Sequence, residues 1–260
     1  MKHLTRDGVK LGYVEAGSGS PPVVLVHGWT CDHTYFAPQQ EHLAKHHRVV
    51  AVDLRGHGTS DKPEAPYPLS GFADDIAWLC RELGVQKPIV IGHSMGGMTA
   101  LELAVRHPDM PAAIVVCDSP MAMPAALAAN LGGFTEQLKA PNWRVAHRQF
   151  ISDALFNPAD DPKRKEKILH DMTSAPDHVT LGCWQGILGA DMDGALRKVK
   201  VPFLYLAAEP ALADLAKLRE LCPHVVVGQT VGAGHFHQLE VPDQVNAMID
   251  RFLRISKLAA

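Results

Sequence analysis

A series of short apolar runs, each bounded by turn-forming residues, constrains this chain more than any other feature. They read "PPVVLVHG" (Pro21–Gly28), "HRVVAVDLRG" (His47–Gly56), "KPIVIGHS" (Lys87–Ser94) and "AAIVVCDS" (Ala112–Ser119). "VPFLYLAAE" (Val201–Glu209) and "HVVVGQT" (His224–Thr230) continue the series. Polarity does not alternate within these runs, which is how strands buried on both faces of a parallel sheet look. Helical patterns lie between them. Phe72, Ile76, Leu79 and Leu83 share one face of a segment that stops at Gly84. Near the C-terminus Val245, Met248, Ile249, Phe252 and Leu253 form a stripe, with Pro242 and Asp243 in its first turn. The alternation predicts an α/β fold, a mostly parallel sheet flanked by helices.

One stretch breaks the rhythm. From Pro120 to about Lys200 there is no strand pattern, only alanine, leucine, methionine and helix-compatible charge. That is too long for a structureless loop in a compact domain. It reads as a helical insertion lying over one edge of the sheet. The expected organisation is a core domain of residues 1–119 and 200–260 and a helical cap of residues 120–199.

Composition removes several function classes. The chain has 260 residues, enough to bury a sizeable core, with 47% apolar and 20% charged residues. Its formal net charge is −3, and the longest basic run, Lys163-Arg164-Lys165, is interrupted at once by Glu166. That leaves no electrostatic footprint for nucleic acid, and the run reads as a solvated helix face. No run approaches the ~18 apolar residues a membrane span needs, and "MKHLTRDGVKLGY" has no signal-peptide core. The five cysteines are scattered and free of CxxC spacing. They read as free thiols in a reducing compartment, and a cytoplasmic location is expected. His42, His46 and His47 fall on a polar helix end and are expected in solvent. No pair among these histidines has metal-ligand spacing, so no metal is expected.

The strongest local signal is "IVIGHSMGGM", where Gly92-His93-Ser94-Met95-Gly96 follows a buried-strand run and precedes a helix. Gly-x-Ser-x-Gly in strand–turn–helix context is a nucleophile elbow, a strained turn that pushes the serine hydroxyl out beyond the sheet. The N–H of Met95 then sits at a helix N-terminus, where developing negative charge is favoured.

With these residues in view the chain resembles the α/β-hydrolase fold superfamily, and the resemblance covers essentially its whole length. It rests on "VVLVHGW" (Val23–Trp29), "VVAVDLRGHGTSDKP" (Val49–Pro63), "GHSMGG" and "GAGHFHQLEVPDQV" (Gly232–Val245). The resemblance implies an eight-stranded, mostly parallel sheet with a helical cap inserted after the sixth strand. It implies that Trp29 supplies a second oxyanion N–H beside that of Met95, its indole at the pocket floor or in the core. It implies loop-supporting roles for His27 and His57. His235 is implied as the base, with His237 pointing elsewhere.

The resemblance also implies a carboxylate behind His235, commonly an aspartate after the strand that here reads "FLYLA". That position is Pro210, a departure from the pattern. Glu209 is one residue off, and Asp214 falls on the next helix. Asp118 ends the preceding strand, where a minority of relatives carry the acid. Asp118 is the expected acid, with Glu209 as the alternative.

Ser94, His235 and Asp118 imply acyl transfer through an acyl-serine, with no cofactor. The cap residues Met121, Met123, Ala125 to Ala129, Phe134, Trp143, Phe156 and Trp184 supply pocket lining or lid core. The expected substrate is a small or medium, mostly apolar ester, thioester or lactone. Partners are limited to that small molecule, without nucleic acid or membrane; a homo-oligomer stays open. Two alternatives follow. "HGWTCDH" and "GHFHQLEVPD" are similar to cofactor-free dioxygenases, in which the histidine–acid pair deprotonates a hydroxylated N-heteroaromatic. The other is a non-catalytic ligand receptor on the same scaffold.

Overall fold

Alternation along each central strand decides which helices it meets. The strands of this computed structural model are β1 (Lys2–Arg6), β2 (Val9–Ala16), β3 (Val23–Val26), β4 (Val49–Asp53), β5 (Ile89–His93), β6 (Ala113–Cys117), β7 (Phe203–Ala207) and β8 (Val226–Gln229). The structure describes residues 1–259, and the side chains of residues 125–127 and 130 are outside the described set. The expected pocket role of Ala125 to Ala129 therefore lies partly outside the described residues, as does position 260 of the expected core range.

The strands form one eight-stranded sheet of order β1-β2-β4-β3-β5-β6-β7-β8. The pairs β1–β2 and β2–β4 are antiparallel and all others parallel. The helices are α1 (Ala37–Leu43), α2 (Leu69–Glu82), α3 (Met95–Arg106), α4 (Ala125–Leu138), α5 (Trp143–Ala154), α6 (Pro162–Thr173), α7 (Asp177–Leu188), α8 (Met192–Lys198), α9 (Leu215–Leu221), α10 (His237–Glu240) and α11 (Pro242–Ile255).

Val24, Val26, Val50, Val52 and Val90 point to one face and pack with Phe72 of α2 and Leu101 of α3. Val23, Leu25, Val49, Ala51 and Ile91 point to the other and pack with Leu43 of α1 and Val245, Ile249 and Phe252 of α11. Burial on both faces is why these runs carry no polar alternation. The α11 stripe alone removes four large apolar side chains from water (Val245, Ile249, Phe252, Leu253). At about 1.5–3 kcal/mol each, an upper estimate, that is on the order of 6–12 kcal/mol.

Between β6 and β7 the chain runs through α4 to α8. Local chemistry sets these helices' starts: Asp161 accepts from the N–H groups of Lys163 and Arg164 ahead of α6, and Asp191 accepts from Gly194 ahead of α8. Two side-chain placements differ from the sequence reading. His47 is buried, because the chain turns back after α1 and its ring reaches the Pro21 carbonyl, 2.8 Å away. The basic run on α6 is not simply solvated, since Arg164 reaches Glu240 at 2.5 Å and Lys165 donates to the Ser152 carbonyl. Among the described residues no helix is long and apolar enough to cross a membrane.

Candidate active site

The parallel strands end on one side of the sheet, and the residues singled out in the sequence lie on the loops there. Ser94 sits between β5 and α3 with φ 54° and ψ −123°. A left-handed φ is unfavourable for a residue with a Cβ, by about 1–3 kcal/mol, and must be imposed by its surroundings. Close packing imposes it. A Cβ at Gly92 would stand 2.2 Å from the Gly96 carbonyl oxygen, and one at Gly96 would stand 2.1 Å from that of Val26. Only glycine permits the turn to fold so tightly onto β3. Behind it the Ser94 N–H donates to the Cys117 carbonyl, and the Ser119 hydroxyl donates to the Ser94 carbonyl at 2.6 Å.

The loop after β3 passes against this turn: a Cβ at Gly28 would lie 3.1 Å from the Ser94 Cβ. That closeness brings Trp29, next in the chain, to the same side as Met95, the first residue of α3. Neither of their N–H groups has an acceptor among the described residues. The Trp29 indole is both core and cavity wall. It donates to the Thr180 carbonyl of α7 at 3.0 Å and packs against Trp184 and His147, with ring centroids 5.1 and 4.4 Å away.

His235 lies after β8, buried, with Nδ1 2.8 Å from Oδ2 of Asp118. An ionised carboxylate only accepts, so Nδ1 carries the proton and Nε2 is the basic nitrogen of the neutral ring. Asp118 follows β6, wholly buried, with φ 42°. Its other oxygen, Oδ1, accepts from the N–H groups of Ala208 and Leu212, each at 3.2 Å. The sequence alternatives are engaged elsewhere. Glu209 is exposed and its carboxylate accepts from the Gly232 N–H at 3.1 Å. Asp214 caps α9 through the N–H groups of Ala216 and Lys217. His237 turns away, its Nδ1 3.0 Å from the Thr230 hydroxyl.

The remaining histidines near the site act on loops. The Leu54 N–H donates to His27 Nε2, so His27 Nδ1 donates to the Gly28 carbonyl and steadies the loop before Trp29. His57 Nδ1 donates to the Arg55 carbonyl. His93 Nε2 donates to the backbone carbonyl of His235 at 2.9 Å, a contact the sequence reading did not foresee. Burial keeps this group neutral: it lowers the pKa of His27, lowers that of His93 well below the usual value, and takes His57 to about 3 and His237 to about 4. Asp53, at the end of β4, goes the other way. Its burial would raise the pKa, but hydrogen bonds from His33 and Thr59 outweigh that and hold it well below the carboxylate range.

Ser94, His93 and His235 face a cavity of about 670 Å³, mouth included, whose other walls are almost wholly apolar. Of the cap residues expected there, Met123 and Trp184 line it, whereas Met121, Phe134, Trp143 and Phe156 do not. Leu131, Phe150, Leu155, Met172 and Ile187 were not foreseen, because an apolar helix stripe facing a cavity reads the same as one facing a core. Cys31 also reaches the wall, but burial raises its thiol pKa well above the usual value. No Lys, Arg, Asp or Glu lines the cavity among the described residues. Nor does any group of three His, Cys, Asp or Glu side chains among them converge to hold a metal ion.

Comparison with known proteins agrees with the fold. Residues 21–242 match the family described as alpha/beta hydrolase fold. The chain is 31% identical to 2-(acetamidomethylene)succinate hydrolase of Mesorhizobium japonicum, over 94% of this chain and 92% of that protein. It is 24% identical to 3-oxoadipate enol-lactonase 2 of Acinetobacter baylyi, over 96% of each. The structure of a malate-bound esterase from Thermogutta terrifontis superposes with a TM-score of 0.86 at 26% identity, covering 98% of this chain and 99% of that one.

Proposed function

This chain belongs to the α/β-hydrolase fold family, and from that premise we propose that it is a serine hydrolase of uncharged, mostly apolar carboxylic esters, thioesters or lactones of small to medium size. The observation that carries the reading is the buried His235, paired with Asp118 behind it and facing the same cavity as the strained Ser94. His235 Nε2 takes the Ser94 proton as Oγ attacks the acyl carbon. The N–H groups of Trp29 and Met95 hold the resulting oxyanion, and the imidazolium returns the proton to the departing alcohol, thiol or ring oxygen. Water repeats the sequence on the acyl-serine, with Asp118 stabilising the imidazolium each time. The helices of residues 120–199 act as a cap over a core of residues 1–119 and 200–260, excluding bulk water.

Substrate class follows from the lining. The two relatives are named for a succinate and an oxoadipate derivative, both carboxylates. A carboxylate inside the present cavity would meet no cationic side chain among the described residues, so a neutral acyl group fits better. Work in the cytoplasm suits the five free, buried cysteines.

The test is stopped-flow release of p-nitrophenol from a short-chain ester by wild type and Ser94→Ala. A burst of one equivalent per site, abolished in Ser94→Ala, supports an acyl-serine. Oxygen uptake with a hydroxylated heteroaromatic that survives Ser94→Ala but not His235→Ala would overturn it in favour of cofactor-free oxygenation. Ligand-induced stabilisation without turnover would point to a receptor.

A further inference from the structure

We propose that Asp160, on the loop between α5 and α6, is a positioning residue for His235, so that the base takes its working orientation only while this loop is docked against it. The proposal rests on the assignment of His235 as general base. Gly234, immediately before the histidine, has no Cβ and little intrinsic preference for one backbone direction. Something outside the histidine loop has to fix it.

The contacts that do so come from the helical insertion. The Gly234 N–H donates to Oδ1 of Asp160 at 3.0 Å, and the His235 N–H donates to the Leu155 carbonyl at 2.9 Å. Asp160 is itself only 8% exposed, and its second oxygen accepts from the Asn157 N–H at 2.7 Å. The carboxylate is thus held from within its own loop and aimed at the glycine. The approach is too close for any other residue. A Cβ at Gly234 would lie 2.6 Å from both the Asn157 nitrogen and Asp160 Oδ2.

The same loop grips the other chain segments around the base. Asn157 Nδ2 donates to the Glu209 carbonyl, and the Glu209 N–H donates to the Ala233 carbonyl. Beyond the histidine, Glu240 accepts from Arg164 and from the Asp161 N–H. Phe236 is packed among Ile151, Leu155 and Leu169 of the insertion. From the sheet side, the hydrogen bonds to His235 among the described residues are those of His93 and Asp118. Those fix the ring and one carbonyl, whereas the insertion fixes the two preceding N–H groups.

Asp160→Ala and Asp160→Asn separate positioning from charge and from bulk stability. Both remove the charge, but asparagine keeps an oxygen for the Gly234 N–H; its NH2 then stands against the Asn157 N–H, so asparagine lowers Tm while the bond to the glycine stays. Ester turnover is expressed per active site counted by the p-nitrophenol burst, and the Nδ1 proton bridging His235 and Asp118 is followed by low-field proton NMR. In Asp160→Ala kcat per site is expected to fall on the order of 10–100-fold with KM nearly unchanged. The acid limb of kcat/KM moves and the bridging proton signal broadens or disappears. Asp160→Asn restores most of all three. The other titratable groups near the ring among the described residues, Asp118, His93 and, turned away from it, His237, are unchanged in these variants.

Wild-type kcat per site, an unmoved pH limb and an intact proton signal in Asp160→Ala, with only a lower Tm, would overturn the proposal. If Asp160→Ala does not fold, Asp160→Ser and Asp160→Asn bear the same comparison, and loss of rate and signal in serine but not asparagine supports it. The NMR arm needs no turnover. A Ser94-independent enzyme would therefore sink the acyl-serine reading while the proton signal still decides for or against Asp160.

Discussion

Replacing Asp118 by asparagine tests the acid assignment most sharply, because the structure dictates how the amide must sit. Asp118 Oδ1 accepts from the N–H groups of Ala208 and Leu212. An asparagine NH2 placed there would face two donors at full burial, so the amide oxygen must take that side. The NH2 then occupies the Oδ2 position, 2.8 Å from His235 Nδ1. His235 can satisfy it only by presenting a bare Nδ1, which moves the ring proton to Nε2. A ring protonated at Nε2 cannot accept a proton from Ser94. The loss should be on the order of 10³–10⁴-fold in kcat, about 4–5.5 kcal/mol of transition-state stabilisation. KM should change little, since Asp118 does not line the cavity. Steady-state hydrolysis of a p-nitrophenyl ester by wild type, Asp118→Asn and Glu209→Gln measures it directly. Glu209→Gln removes only an exposed charge and keeps an oxygen for the Gly232 N–H, so it should stay within about threefold. If Asp118→Asn stays within tenfold while Glu209→Gln collapses the rate, the tautomer argument is wrong.

Further expectations concern packing, substrate charge and pH. Gly96→Ala puts a Cβ 2.1 Å from the Val26 carbonyl oxygen, so it should cost about 3 kcal/mol or more in urea denaturation; a loss under 1 kcal/mol would contradict the close packing at the elbow. Trp29→Phe keeps the backbone N–H but loses the bond to Thr180 and part of the Trp184 stack, so stability should drop about 1–3 kcal/mol. Its kcat should fall less than tenfold. Adding a terminal carboxylate to the acyl chain should lower kcat/KM by at least about 10²-fold relative to its methyl ester, since an unpaired buried charge costs several kcal/mol. Burial depresses the pKa of His57 and His147 to about 3 and of His237 to about 4, so these rings fold neutral. Their contribution is complete above the unfolded value near 6.5 and is lost as pH falls toward 4, by up to about 4 kcal/mol per pH unit for the three together. Urea melts at pH 7, 6 and 5 should show a steep decline, and a flat profile would refute neutral burial.

The parts legible in the sequence are those whose physics is local. A strand buried on both faces must be apolar throughout, so β3 to β7 announce themselves. The hairpin β1–β2 does not: its residues are mostly exposed or half-buried, and its edge position tolerates Lys2, His3 and Lys10. Asp7-Gly8 between them is the local turn signal this hairpin carries. The placement of Ser94 and His235 on one cavity is legible because elbow and histidine loop need glycines at fixed spacing. His47 was misplaced because the Pro21 carbonyl that buries it lies 26 residues earlier in the chain. The Leu155–Asp160 clamp left no trace in the sequence, since only the fold brings it to Gly234.

The acid was legible only as a choice between strand ends, and that choice rests on how two strand tips meet. Cys117 of β6 pairs with Leu206 of β7, which sets Asp118 opposite Ala207, the last residue before the loop where the resemblance implies the acid. The Asp118 N–H then donates to the Leu206 carbonyl, and the loop returns two N–H groups to the Asp118 carboxylate. The loop after β7 therefore solvates the carboxylate from the neighbouring strand. Burying an ionised carboxylate is costly unless its oxygens are hydrogen-bonded, and this loop meets that cost. With Pro210 at the expected acid position, an aspartate restored there would meet a second carboxylate on the same imidazole. Pro210→Asp in the wild-type background should therefore impair the enzyme. In Asp118→Asn it should rescue poorly, because the Ala208 and Leu212 donors stay directed at position 118. Full rescue would show that the loop, rather than the strand tip, determines where the acid can stand.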